Sequence, residues 1–95
     1  MKPVRVGING FGRIGRSVFR VAVDREDMEI VAVNDLYDNA QLAYLLKYDT
    51  VMRVFDHEVS TDAETMTVDG KRIIMTEEKD PARIPWRKMA VEIVV

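Results

Sequence analysis

The chain contains no cysteine. Disulfides, thiolate metal sites and cysteine nucleophiles are therefore excluded within its 95 residues. Histidine is nearly as scarce. His57 is the single one, set between Asp56 and Glu58. Carboxylates without a second histidine rarely hold zinc, so His57 reads as a surface histidine and no metal site is expected. Clustered charge of one sign is also missing. Fourteen basic and sixteen acidic residues are interspersed and leave a net charge of −2. Nucleic acid calls for a concentrated basic face, and none is present. No apolar run approaches the ~20 residues of a membrane span, and Met1-Lys2-Pro3-Val4-Arg5 has no signal-peptide character. No membrane partner and a cytoplasmic location are the expectations. Repeats, low-complexity segments and linkers are absent too, so the length suits one small domain.

What is present has a clear order. Val4-Arg5-Val6-Gly7-Ile8 is β-branched, ends at Asn9-Gly10, and reads as a strand. From Arg13 to about Asp24, the apolar residues Ile14, Val18, Val21 and Ala22 recur at helical spacing, with Phe19 and Val23 widening the stripe. Glu29-Ile30-Val31-Ala32-Val33-Asn34 is a near-continuous apolar run, as in a parallel strand covered by helices on both faces. Strand, helix and strand within roughly 30 residues make a βαβ unit. Asp38 and Gln41 have the spacing of a capping box, opening a short helix on Leu42, Ala43, Leu45 and Leu46. A short strand is expected within Val51 to Val59. Thr65-Met66-Thr67-Val68 and Lys71-Arg72-Ile73-Ile74-Met75 flank Asp69-Gly70, the pair a type I′ hairpin turn needs. A connector with one helical turn follows around Asp80-Pro81 and Ile84-Pro85-Trp86. Val91-Glu92-Ile93-Val94-Val95 reads as another buried strand. The expected fold is α/β: a Rossmann-like, partial doubly wound parallel sheet of at least three strands with an antiparallel hairpin. Because such sheets continue past a buried strand, the chain is expected to be a fragment.

The chemistry concentrates at Gly10-Phe11-Gly12-Arg13-Ile14-Gly15, between the first strand and the first helix. Gly10 allows the tight turn, Gly12 lets a pyrophosphate approach the backbone, and Gly15 brings helix and strand together. The helix then points free N–H groups and its positive dipole end at the phosphates. A GxGxxG pattern alone says little, but here the second strand ends at Asp35, twenty residues after Gly15. A carboxylate there can accept from the adenosine ribose hydroxyls and would repel a 2′-phosphate, which favours NAD over NADP. The bland alternative makes the glycines turn formers and Asp35 a solvated strand end.

Val6-Gly7-Ile8-Asn9-Gly10-Phe11-Gly12-Arg13-Ile14-Gly15-Arg16 resembles the opening of the glyceraldehyde-3-phosphate dehydrogenase family residue for residue. Asn34-Asp35-Leu36, Leu42-Ala43-Tyr44-Leu45-Leu46-Lys47-Tyr48-Asp49, Lys79-Asp80-Pro81 and Ile84-Pro85-Trp86 fit its later segments, so the likeness covers essentially the whole chain. The resemblance implies that Gly10, Gly12, Arg13, Ile14, Gly15 and Asp35 form an NAD site, with Lys79 near the adenine end. It also implies a glycolytic parent activity, phosphorylating oxidation of glyceraldehyde 3-phosphate, and a homo-oligomer. The family's nucleophilic cysteine and partner histidine belong to a substrate domain farther along, so no catalytic residue is assigned here. Residues 1–95 are expected to be one partial NAD-binding domain. Erythrose-4-phosphate dehydrogenase is a close relative, but its second strand more often ends in Asn-Glu than in Asn-Asp. The chain departs from the family at Met52-Arg53, where a histidine-glycine pair is usual, and at Arg87-Lys88-Met89-Ala90, where an acidic residue and a glycine are commoner. A reading from another class, a non-catalytic nucleotide-binding or self-associating fragment, stands beside it.

Other residues have plainer readings. Glu77, Glu78 and Asp80 flank Lys79 as a solvated face, Asp24 to Asp27 form a solvated helix end, and most methionines fill the core. Trp86 anchors the connector to the sheet, and Tyr44 and Tyr48 lie one turn apart on a helix surface.

Overall fold

The computed structural model describes residues 2–48, 55 and 57–95. These form β1 (Val4–Asn9), α1 (Arg13–Val23), β2 (Met28–Asn34), α2 (Asn39–Tyr48), β3 (Val59–Thr61), β4 (Thr65–Val68), β5 (Lys71–Thr76) and β6 (Ile93–Val94), with one 3₁₀ turn at Pro81–Arg83. One sheet has the order β3-β4-β5-β2-β1-β6. β5, β2, β1 and β6 run parallel, and β3 and β4 add antiparallel strands at one edge. The expected hairpin is therefore not a mere appendage, because its second strand, β5, is itself part of the parallel sheet. Asp69 and Gly70 have φ of 48° and 84°, the positive pair expected of the Asp-Gly turn. Of the stretch Val51 to Val59 where a short strand is expected, the described residues show strand at Val59, the start of β3; residues 51–54 and 56, with the Met52-Arg53 departure, lie outside the described residues.

The two faces of the sheet are covered differently. Val6 and Ile8 of β1, Ile30 and Val33 of β2, and Met66, Val68, Ile73 and Met75 of the hairpin bury one face against Phe19 and Ala22 of α1 and Leu42 and Leu46 of α2. The opposite face carries Val31 and Ala32 under Ile84 and Met89, with Trp86 and Val91 packed alongside. β2 was expected to have helices on both faces; the structure places both on one, and the 81–91 connector covers the other. A bulge makes this possible. Val6 pairs with Ile30, but Gly7 pairs with Ala32. The extra residue breaks the strict alternation, so Val31 and Ala32 serve the same cluster. Gly7 lies beneath Trp86, where a Cβ would come within 2.6 Å of the indole. Trp86 thus anchors the connector to the sheet as expected.

The α1 stripe differs from its sequence reading. Gly15, Arg16, Phe19 and Ala22 are buried, whereas Ile14 and Val21 are 78% and 61% exposed. Positions 15, 19 and 22 share one face at i, i+4 and i+7, which turns residues 14 and 21 outward. The β6 reading also needs correction. Ile93 and Val94 are 52% and 45% exposed, because β6 pairs with β1 on one side and nothing among the described residues covers it.

Side chains close several termini. Asp38 Oδ1 accepts from the Gln41 N–H at 2.9 Å, the first half of the expected capping box. Asp80 Oδ1 accepts from the Ala82 N–H at 3.0 Å and opens the 3₁₀ turn. Ala90 has φ of 56°, the left-handed region, within the stretch where the family more often carries a glycine. Arg5 holds that turn, its Nε donating to the Ala90 carbonyl at 2.9 Å and its Nη2 to that of Met89 at 3.1 Å.

His57 is more than a surface residue. Its Nδ1 bonds Asp69 in the hairpin turn, and its Nε2 lies 3.1 Å from Asp24 Oδ1 at the end of α1. A ring whose two nitrogens both face carboxylates favours the doubly protonated imidazolium. The bond to Asp69 holds the His57 pKa above its ordinary 6.5; partial burial opposes this, and the Asp24 charge adds to it. The same bond, with the Glu58 N–H, holds Asp69 below its ordinary 3.8. A file of rings joins this cluster to the other end of α1: Phe11 to Phe19 at 5.6 Å, Phe19 to Phe55 at 6.1 Å, and Phe55 to His57 at 4.6 Å.

Candidate functional site

The site lies at the carboxyl ends of β1, β2 and β5. β1 connects through α1 to β2 on one side, while β6 adds on the other. The chain therefore reverses direction across the sheet beside the β1 terminus, the place where open α/β sheets bind ligands. An open cleft of about 510 Å³ there is lined by Asn9, Gly10, Asn34, Asp35, Leu36, Tyr37, Glu78 and Lys79. A more enclosed cavity between Phe19, Val68 and Ile73 holds only about 40 Å³, too little for a nucleotide.

Each loop residue has a distinct task. Gly10 turns the chain at φ 95° and donates its N–H to the Asn34 carbonyl at 2.8 Å. Phe11 locks the loop three ways. Its side chain is 1% exposed in the core, its N–H donates to Asp35 Oδ2 at 2.7 Å, and its carbonyl accepts from Arg16 Nη1 at 2.9 Å. Gly12 begins α1 with no side-chain cap. A Cβ there would meet nothing within 4 Å, so the space over the first turn is open. Gly15 is the reverse case. A Cβ would lie 2.4 Å from the Gly10 carbonyl oxygen and 3.0 Å from Ile8. That close approach brings the helix terminus over the strand end, as the third glycine of the motif does.

The structure brings Gly10, Asp35 and Lys79 together along the cleft. Gly12, Arg13 and Ile14 are exposed at the adjoining start of α1. Gly15 is buried and acts through packing, not as a lining residue. Asp35 Oδ1 accepts from the Tyr37 N–H at 3.0 Å, so each carboxylate oxygen holds one backbone donor and keeps acceptor capacity in hand. Phe11, Arg16 and Asn34 were missed from the sequence. Phe11 occupies a variable position of the motif, and the partners of Arg16 and Asn34 follow no periodicity. Among the described residues, no group of three histidine, cysteine or acidic side chains is arranged to hold a metal ion.

A dinucleotide fits this donor set. The first N–H groups of a helix have no intrahelical partner, and the bare N-cap leaves those of α1 open to an anion. The Asp35 carboxylate is bonded to the same loop. No helix among the described residues is long and apolar enough to cross a membrane.

Comparison with known proteins agrees with this geometry. Residues 4–95 match the family model described as the NAD binding domain of glyceraldehyde 3-phosphate dehydrogenase. The chain is 55% identical over 92 residues to glyceraldehyde-3-phosphate dehydrogenase 1 of Bacillus subtilis. It is 54% identical over 92 residues to the enzyme of Geobacillus stearothermophilus, and 50% over 92 residues to the cytosolic enzyme of Trypanosoma brucei brucei. Each alignment covers 97% of this chain and 28% of the relative. The family model matches nearly the whole chain, and the chain therefore belongs to the glyceraldehyde 3-phosphate dehydrogenase family, as its NAD-binding domain.

Proposed function

We propose that residues 1–95 act as one unit that holds the adenosine and pyrophosphate parts of NAD for a phosphorylating glyceraldehyde-3-phosphate dehydrogenase. The observation that carries this reading is the 2.7 Å bond from the Phe11 N–H to Asp35. It fixes the ribose-reading carboxylate against the phosphate-binding loop. Gly10, Gly12, Arg13, Ile14 and Gly15 form the pyrophosphate cradle, Gly15 by packing. Asp35 accepts from the ribose hydroxyls, and Lys79 borders the adenine end. When bound, NAD supplies the hydride-accepting ring; this chain binds and orients the other half of the cofactor. Without cysteine, it forms no thiol adduct and turns over no aldehyde alone. The cytosolic relative and the dispersed charge support a cytoplasmic setting without nucleic acid.

Titration of the chain with NAD, NADP and ADP-ribose tests the reading. ADP-ribose should bind, Gly12→Val should abolish binding, and Asp35→Ser should narrow the preference for NAD over NADP by roughly tenfold, about 1.4 kcal/mol. Equal binding by Gly12→Val would sink the glycine-loop assignment.

A second reading, self-association, is favoured by the exposed apolar strand β6. An unpaired parallel edge is a template for another chain, and a homo-oligomeric parent would bury further apolar surface. Sedimentation should show a concentration-dependent dimer that Ile93→Lys removes.

A further inference from the structure

Asn34 is 4% exposed at the carboxyl end of β2, and its carboxamide is saturated. Nδ2 donates to Asn9 Oδ1 at 3.2 Å and to the Glu78 carbonyl at 3.1 Å. Oδ1 accepts from Thr76 Oγ1 at 2.6 Å and from the Glu78 N–H at 2.9 Å. The orientation of the amide is unambiguous, because Glu78 presents one fixed donor and one fixed acceptor. The side chain thus joins the ends of β1, β2 and β5 and grips the Glu78 peptide on both sides. β5 has ended at Thr76, so the amide holds the next segment where the backbone ladder has stopped. That segment carries Lys79 to the cleft that Asp35, Leu36 and Tyr37 also line.

We propose that Asn34 is a positioning residue for the adenosine side of the cleft, holding the 77–79 rim in register with the glycine loop. The proposal rests on the reading of this cleft as the site of the adenosine half of a dinucleotide. Asn34 touches no ligand in this role; it acts through the Glu78 peptide. The amide itself is buried, so a change that leaves its bonds unmade is costly there even though its partners are only partly buried. The glycine loop is less dependent on it. Gly10 is held by the Asn34 backbone carbonyl and Phe11 by Asp35, and neither bond uses the amide.

The test compares two probes, ADP-ribose and inorganic pyrophosphate, on the wild-type chain and on Asn34→Asp, with circular dichroism confirming the fold. The substitution is isosteric but sets an oxygen against Asn9 Oδ1 and the Glu78 carbonyl. ADP-ribose affinity should fall roughly tenfold, as expected for about 1.4 kcal/mol, while pyrophosphate affinity stays within twofold. A merely structural role would lower both together. Lys79→Ala should also weaken ADP-ribose, and the double variant should lose less than the sum of the two. Unchanged ADP-ribose affinity in folded Asn34→Asp, or equal loss for both probes, would overturn the proposal alone. Wild-type chain that binds neither probe would overturn the cleft reading and the proposal with it. If Asn34→Asp does not fold, Thr76→Val removes one of the four bonds and keeps the strand. It should shift ADP-ribose binding in the same direction, and no shift would count against the proposal.

Discussion

At its N-terminal end α1 starts on Gly12, which has no side chain to close the first turn. At its C-terminal end the residue in the equivalent place, Asp24, is drawn to His57, which in turn holds Asp69. The same helix is therefore bare at one end and braced at the other. Capping the first turn would be the ordinary stabilising choice, since side-chain caps satisfy orphan N–H groups. Here Gly12 supplies no such cap, as the proposed pyrophosphate site requires. The brace at the far end, with the file of rings beneath the helix, holds α1 in place without occupying its N-terminal end.

Four substitutions would break or sharpen this contrast. Phe19, fully buried midway along α1, sets the scale. Phe19→Ala should cost about 3–5 kcal/mol in urea unfolding, because it empties the centre of the larger core. Gly15→Ala comes next, at about 1–3 kcal/mol from forced overpacking, since its Cβ would press on the Gly10 carbonyl. It should also lower ADP-ribose affinity by displacing the loop. An unchanged melting temperature would show that the helix can slide away from the strand.

His57→Gln should cost at most about 1 kcal/mol, the range of partly exposed ion pairs, and its clearest signature is in pH. His57 has a raised folded pKa, so its contribution is complete below about 6.5 and is lost as pH rises through the folded value. Asp69 has a lowered one, so its contribution is complete above about 3.8 and is lost as pH falls through the folded value. The brace is thus strongest between these limits. Stability measured across pH should fall on the alkaline side in wild type and stay flatter in His57→Gln. Parallel curves would remove the brace from the account. The smallest stability effect belongs to Gly12→Ser, a gain of roughly 0.3 kcal/mol from the new cap. The same change should abolish or sharply weaken pyrophosphate binding. A variant that is stabilised and still binds would contradict the claim that the bare terminus is kept for a ligand.

The β1–α1–β2 unit was legible because periodicity and glycine spacing are local signals, and local signals survive translation into structure. Asp35 was legible for the same reason, as a carboxylate at a predicted strand end. The hairpin was marked by Asp69-Gly70. The failures involve contacts between distant segments. His57 meets Asp24 and Asp69 across three elements, and no spacing announces such a meeting. Asn34 looks like any strand-end asparagine until β5 and Glu78 arrive beside it. The single-sided placement of the helices could not be read from β2, since an apolar run records burial without saying what does the burying. Ile14 and Val21 misled because apolar composition was counted before the phase of the helix was set by Gly15 and Phe19.

Trp86 is the one tryptophan in the chain, and its indole lies over Gly7, three residues before the glycine loop begins. The molecule therefore carries its own optical reporter on the face away from both helices. Indole emission follows the connector and β1, while far-ultraviolet ellipticity is dominated by α1 and α2. The two signals watch opposite layers of one six-stranded sheet. Coincident unfolding curves would establish that the thin layer and the thick one melt as a single cooperative unit.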